Sequence, residues 1–198
     1  KNKEIFNYNF LGNSVSINKI RQLIDKVAPT SSRVLIYGES GTGKDVVAKE
    51  IHLKSQNKNG PFIVVNAALM SPDNIEIELF GSVKKDRVKK GLLEKSENGT
   101  LFIDEIGEMP LQTQAKILRV LTDKKFNRRG EDEFIPVSCR IICSSTANLN
   151  KLVDEGSFRK DLYHRINVVT ISLPKLNERV GDIDLLVDHF SFYYSNLN

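Results

Sequence analysis

The sequence has few sulfur and imidazole ligands and no long apolar run. Two cysteines and three histidines stand among 198 residues. Cys139 and Cys143 lie in the run Ser138-Cys139-Arg140-Ile141-Ile142-Cys143-Ser144, which reads as a buried strand. Residues four apart on a strand are about 13 Å apart, and a disulfide needs Cα atoms within about 7 Å. Both thiols are therefore expected to be free in the core. With no histidine nearby in sequence, they make a poor metal site. No apolar run approaches the roughly 20 residues of a membrane span. Residues 1–10 are polar and charged, and lack the apolar stretch and small-residue cleavage site of a secretory signal. These absences point to a cytoplasmic protein with no membrane partner. There is also no internal repeat and no low-complexity tract.

What is present is one domain's worth of chain, 40% apolar, enough to bury a core. The formal charge is a mild +4. That excess reads as a solvated surface. A nucleic-acid face has weaker support, because no aromatic residues interleave with the basic ones. Residues 1–9 are rich in Lys and Asn and read as a linker from a preceding domain. From residue 10 onward, helical and extended patterns alternate. Ile17, Ile20, Leu23, Ile24 and Val27 have helical spacing, and Pro29 follows. Apolar strand patterns fall at 33–37, 61–65, 100–103, 140–143 and 168–173. Helical patterns fall at 45–53, 74–80, 111–121, 158–164 and 182–194. This alternation predicts an α/β fold, a parallel five-stranded sheet between two helical layers. Ligands of such sheets sit beyond the carboxyl ends of the strands.

The strongest chemical signal is Gly38-Glu39-Ser40-Gly41-Thr42-Gly43-Lys44. It fits G-x-x-x-x-G-K between a strand and a helix, the P-loop context. The glycines let backbone N–H groups wrap phosphates, the helix N-terminus adds positive potential, and Lys44 supplies a point charge. The Ser or Thr that usually follows the lysine and ligates Mg²⁺ is Asp45 here. A carboxylate can hold Mg²⁺ directly or through water, though it also repels phosphate. The second signal is Leu101-Phe102-Ile103-Asp104-Glu105, apolar residues and then two carboxylates where a buried strand ends. Beside a P-loop, Asp104 is expected to orient Mg²⁺ and Glu105 to act as general base on the attacking water. The candidate metal ligands are thus Asp104 and Asp45, and the cofactors ATP or ADP with Mg²⁺.

Gly38 to Asp45, Pro61-Phe62-Ile63-Val64-Val65-Asn66, Glu78-Leu79-Phe80-Gly81 and the segment from Gly99 to Pro110 together resemble the AAA+ sigma-54-interaction domain of bacterial enhancer-binding regulators. The segments 114–121, 158–165 and 173–179 match it too. An acidic residue after the P-loop lysine is normal in that family. The resemblance implies an αβα AAA+ core of residues 10–198, with the helical lid absent or truncated. It implies that Asn66 restrains the catalytic glutamate. Thr146, with Ser145, falls where the family has its sensor of the γ-phosphate. Arg159 and Arg165 match a pair that reaches a neighbouring subunit's ATP. Copies would then assemble, from a dimer up to a hexameric ring.

The largest departure follows Gly81. The family's Gly-Ala-Phe-Thr-Gly-Ala grip on sigma-54 factor is replaced by residues 82–90, of which five of nine are basic. This stretch reads as a solvated or disordered charge run, with a phosphate-contacting loop as the alternative. The missing grip resembles the NtrX-type subgroup of response regulators. In that subgroup a receiver domain served by a sensor histidine kinase precedes the core, and a DNA-binding domain follows it. The implied role is ATP-dependent oligomerisation of a transcription regulator, with weak ATPase activity and no sigma-54 engagement. The alternative is an ATP-hydrolysing motor for sigma-54 polymerase.

Overall fold

A computed structural model describes residues 10–85 and 87–195. The linker assigned to residues 1–9 lies outside the described residues. The chain opens with helix α1 (Val15–Val27), strand β1 (Val34–Tyr37), α2 (Lys44–Leu53), β2 (Phe62–Asn66) and α3 (Pro72–Phe80). A hairpin of β3 (Gly81–Lys84) and β4 (Arg87–Lys90) follows, then α4 (Leu92–Lys95), β5 (Thr100–Asp104) and α5 (Leu111–Asp123). The second half holds β6 (Lys125–Phe126), β7 (Ile135–Pro136), β8 (Arg140–Ser145), α6 (Leu149–Asp154), α7 (Lys160–Ile166), β9 (Val169–Ser172) and α8 (Ile183–Ser195).

Five strands form one parallel sheet in the order β2-β5-β8-β1-β9. The side-chain period of two sorts each strand between two cores. Leu35, Leu101, Ile103, Ile141 and Cys143 face one cluster with Ile75, Ile117 and Leu162 of α3, α5 and α7. Val34, Ile36, Phe102, Ile142 and Ile171 face the other with Ile17 and Ile24 of α1 and Val47 and Ile51 of α2. All six residues of the central β8 are buried, whereas the edge strands β2 and β9 are partly exposed. Both cysteines are free and buried.

Two polar side chains tie helix ends into this core. Arg140 donates to the carbonyls of Ala28 (2.6 Å), Val27 (3.1 Å) and Ser32 (3.1 Å), closing the C-terminal end of α1. Asp182 accepts from the N–H groups of Asn13 (2.6 Å) and Ser14 (2.8 Å) and from Ser14 Oγ (2.7 Å), fixing the start of α1.

Within the basic stretch, residues 82–84 and 87–90 pair as antiparallel strands, with Ser82 opposite Lys89 and Lys84 opposite Arg87. The expectation of disorder is corrected by its anchoring. Val83 donates to the Arg129 carbonyl (2.9 Å) and Arg129 to the Gly81 carbonyl (3.1 Å). Gly81 has a left-handed φ of +80°, and a Cβ there would lie 2.4 Å from the Lys89 carbonyl oxygen, so the base of the hairpin needs a glycine. Solvation holds, since every residue of β4 is exposed.

Candidate nucleotide site

Sheet order brings the candidate residues together. β8 lies between β1 and β5. Its carboxyl end, Ser144, Ser145 and the following Thr146, therefore sits between the loop after β1 and the carboxylates after β5.

The loop from Gly38 to Gly43 turns through two left-handed glycines, Gly41 (φ +79°) and Gly43 (φ +97°). Gly43 is the N-cap of α2 and offers no side-chain cap, so the first N–H groups of that helix are left for an outside acceptor. A Cβ on Gly41 would meet nothing within 4 Å, which leaves the loop's rim open. Thr42 is buried and donates through Oγ1 to the Glu39 carbonyl (2.8 Å). Ser40 is exposed on the turn. Glu39 pairs with Lys175 at 2.5 Å, which draws its carboxylate to the outside of the loop. The Lys44 side chain is only 8% exposed. Its Nζ contacts the carbonyls of Gly38 (3.0 Å) and Glu39 (3.4 Å), Thr146 Oγ1 (3.1 Å) and Glu105 Oε1 (3.1 Å).

Glu105 has a left-handed backbone, φ 52° and ψ 51°, a conformation uncommon outside glycine that recurs at functional sites. Its N–H donates to Ser144 Oγ (3.3 Å), and its carboxylate accepts from both Oγ1 and N–H of Thr146. Burial opposes ionisation of Glu105. The Thr146 donors and the Lys44 ammonium outweigh it and hold the carboxyl below its usual range. Asp104 accepts from Ser144 Oγ on one oxygen and from Asn66 Nδ2 (2.8 Å) on the other. Asn66 thus grips Asp104, one residue from the glutamate that the family resemblance assigned to it. β2 pairs with β5 with Asn66 directly opposite Asp104, and this register decides the partner.

The remaining candidates stand apart. Asp45 is exposed in the first turn of α2. Arg159 is exposed and forms a two-point pair with Asp161 on its own helix, at 3.0 and 2.7 Å. Arg165 is half-buried, its Nη2 3.4 Å from the Leu121 carbonyl. Among the described residues no hydrogen bond or ion pair joins either arginine to the P-loop. Gln114 ties the Arg159 backbone to the turn after Glu105. Fully buried, it donates to the carbonyls of Met109 (2.7 Å) and Ser157 (3.0 Å) and accepts from the N–H of Arg159 (2.8 Å).

Three participants were not singled out from sequence. Ser144 bridges Asp104 and Glu105. Buried Arg179 reaches the Thr42 carbonyl at 3.4 Å. Phe10 lies 3.9 Å from where a Gly43 Cβ would stand. Ser144 left a signal as the polar end of a buried strand, and Arg179 as the end of the family-matching segment 173–179.

This donor set fits a polyphosphate: an uncapped helix N-terminus, a glycine-built turn and one enclosed ammonium. No group of three or more His, Cys, Asp or Glu that could cage a metal exists among the described residues. A hard cation sharing its shell with phosphate and water, held by one or two carboxylates, is what the site suits.

Comparison with known proteins agrees with this chemistry. The model of the sigma-54 interaction domain matches residues 10–172. The nitrogen assimilation regulatory protein NtrX of Azorhizobium caulinodans is 45% identical over 185 residues, covering 92% of this chain and 41% of the relative. NtrX of Brucella abortus, solved in complex with ADP, superposes with a TM-score of 0.88 at 47% identity, covering 92% of this chain and 41% of that one. Its complex with ATP gives 0.87, also at 47% identity, covering 92% and 42%. The P-loop NTPase domain of a sigma-54 activator from Escherichia coli, 20% identical with a TM-score of 0.59 over 84% of this chain and 99% of that one, shares the fold. This chain spans 41% of the length of the first two relatives. A P-loop set beside paired carboxylates in this strand order, together with a family match over most of its length, makes the chain a member of the sigma-54 interaction domain family, with an AAA+ core similar to that of NtrX.

Proposed function

We propose that this chain binds ATP or ADP with Mg²⁺ at the P-loop and is the nucleotide-responsive module of a two-component response regulator controlling transcription. Copies assemble in an ATP-dependent way without gripping sigma-54 factor. The observation that carries the reading is the cluster in which Lys44, Glu105 and Thr146 touch one another beside Asp104. The relatives with bound ADP and ATP support it.

In this reading the N–H groups of Gly41, Gly43, Lys44 and Asp45 bind phosphate oxygens and Lys44 neutralises them. Asp104 holds Mg²⁺, with Asp45 available through water. Mg²⁺ supplies charge neutralisation of the phosphates. Lys44 and Thr146 hold Glu105 ionised. A phosphate that takes over Lys44 frees one carboxylate oxygen to accept a proton from water. Turnover is weak in a single chain, because Arg159 and Arg165 act on a neighbour. A receiver domain, its sensor histidine kinase and a DNA-binding domain belong to the whole regulator.

The competing reading is a hydrolytic motor for sigma-54 polymerase. The family match and the complete set of hydrolytic candidates favour it. The grip loop opposes it.

Titration calorimetry with ATP and Mg²⁺ tests the proposal. Wild type should bind, and Lys44→Ala should bind about 10- to 100-fold more weakly, the loss of charge-assisted hydrogen bonds. Equal affinity of the two proteins would refute the assignment.

A further inference from the structure

The hairpin of β3 and β4 concentrates charge in a way the nucleotide site does not use. Residues 82–90 contain five basic residues and one acidic, a net +4, and the whole chain is also +4 (29 basic, 25 acidic). The rest of the molecule is therefore neutral on balance, and the excess is local. Antiparallel register sets Lys84 directly opposite Arg87 and Ser82 opposite Lys89, so three cations share one face, of which Lys89 is paired with Glu78. Like charges facing across a ladder are destabilising. Lys84, Lys85 and Arg87 are exposed and have no ion-pair partner among the described residues. Lys85 holds a left-handed φ of 45° at the turn. A fourth exposed cation, Arg129, is hydrogen-bonded alongside β3 through its backbone. The platform is rigid beneath: Arg128 grips Glu94 and Glu131 at 2.7 Å each.

We propose that this hairpin is a docking surface for the sugar-phosphate backbone of duplex DNA. Lys84, Lys85 and Arg87, exposed and without an ion-pair partner among the described residues, are complementary to a polyanion, and repulsion between Lys84 and Arg87 is relieved when phosphates lie between them. The hairpin has no aromatic residue. Single-strand readers stack bases on aromatic platforms, so a backbone contact to the more densely charged duplex is favoured. The contact carries no sequence information.

The test is fluorescence anisotropy of a labelled random-sequence duplex titrated with this chain between 50 and 200 mM salt. Wild type should bind at 50 mM salt with Kd on the order of micromolar and weaken steeply with salt. The triple variant Lys84→Ala, Lys85→Ala, Arg87→Ala should bind about tenfold or more weakly, and its log–log salt slope should fall by about 2 to 3. The swap Lys84→Arg with Arg87→Lys should retain binding. Removing three remote exposed lysines, Lys19, Lys26 and Lys58, should have little effect. Should the triple variant fail to fold, acetylation footprinting of wild type substitutes for it: duplex should protect Lys84 and Lys85 and leave Lys19 and Lys26 reactive. An equal loss from the remote triple, tighter binding of single-stranded DNA, or binding of phosphatidylserine vesicles without binding of duplex would each overturn the proposal.

Discussion

Thr146 touches both charged partners of the P-loop cluster, donating to Glu105 through Oγ1 and N–H and lying 3.1 Å from Lys44. Its hydroxyl therefore sets how strongly Glu105 stays ionised. Thr146→Val keeps the shape and the N–H and removes one donor, so the Glu105 carboxyl should titrate closer to its ordinary range. The lowered value in the folded state stabilises the protein above the unfolded-state pKa of about 4.3 and is lost as pH falls through the folded value. A stability deficit of Thr146→Val measured by urea denaturation at pH 7 should thus shrink below about pH 4. A deficit unchanged in acid would mean that Thr146 acts by packing alone. Glu105→Gln keeps the side-chain size and one accepting oxygen, and loses the base. Steady-state hydrolysis should drop by about 10² or more with nucleotide binding retained; unaltered turnover would remove Glu105 from the proposed mechanism.

At the scale of elements, α1 depends on a residue 168 positions from its N-cap, because Asp182 holds Ser14 in place. Burial opposes ionisation of Asp182, and donors from Ser14 and Asn13 with the nearby Arg179 charge outweigh it. Asp182→Ala removes the acceptor of two backbone N–H groups, Asn13 and Ser14, and one of the partners of the Ser14 hydroxyl. It should cost about 2 to 4 kcal/mol in chemical denaturation. The loss should be full near neutrality and fade as pH drops below about 3.9, where the carboxyl of the unfolded wild type protonates. The β3–β4 hairpin gives the second prediction at this scale. It lacks the aromatic tip that anchors such interfaces, and its cations resist transfer into an apolar pocket. With ADP and aluminium fluoride present, size-exclusion chromatography should show no stable complex with sigma-54 factor. Co-elution that survives moderate salt would restore the motor reading.

Among the described residues, neither Arg159 nor Arg165 bonds to the P-loop of its own chain. Arg159 is occupied by Asp161 in an exposed, solvent-screened pair that a neighbour's phosphate can displace. Hydrolysis per chain should therefore rise with protein concentration, and Arg159→Ala should abolish the rise while leaving nucleotide affinity intact. Rapid turnover independent of concentration would contradict action in trans. Gln114 carries the structural link, since its amide joins the turn after Glu105 to the backbone of Arg159.

Much of this was legible in the chain itself. Contiguous motifs such as the P-loop and the Asp104-Glu105 pair carry their chemistry in local spacing, because a turn and the helix after it are set by glycines and periodicity within a few residues. Alternating apolar strands and amphipathic helices determined the layered parallel fold for the same reason. Short elements left no period to read, so α4, α6 and the β6–β7 hairpin were not anticipated. Folding decided what depends on register and strand order. Placing β8 between β1 and β5 brought Thr146 to Lys44 and Ser144 to Asp104 across 102 and 40 residues. The β2–β5 register gave Asn66 to Asp104 instead of Glu105. The 82–90 charge run became a hairpin because Gly81 and the Arg129 backbone anchor it, a contact between distant segments that composition cannot reveal. Local sequence carries local chemistry, whereas hydrogen-bond partners between strands follow from a sheet order that only the packed core selects.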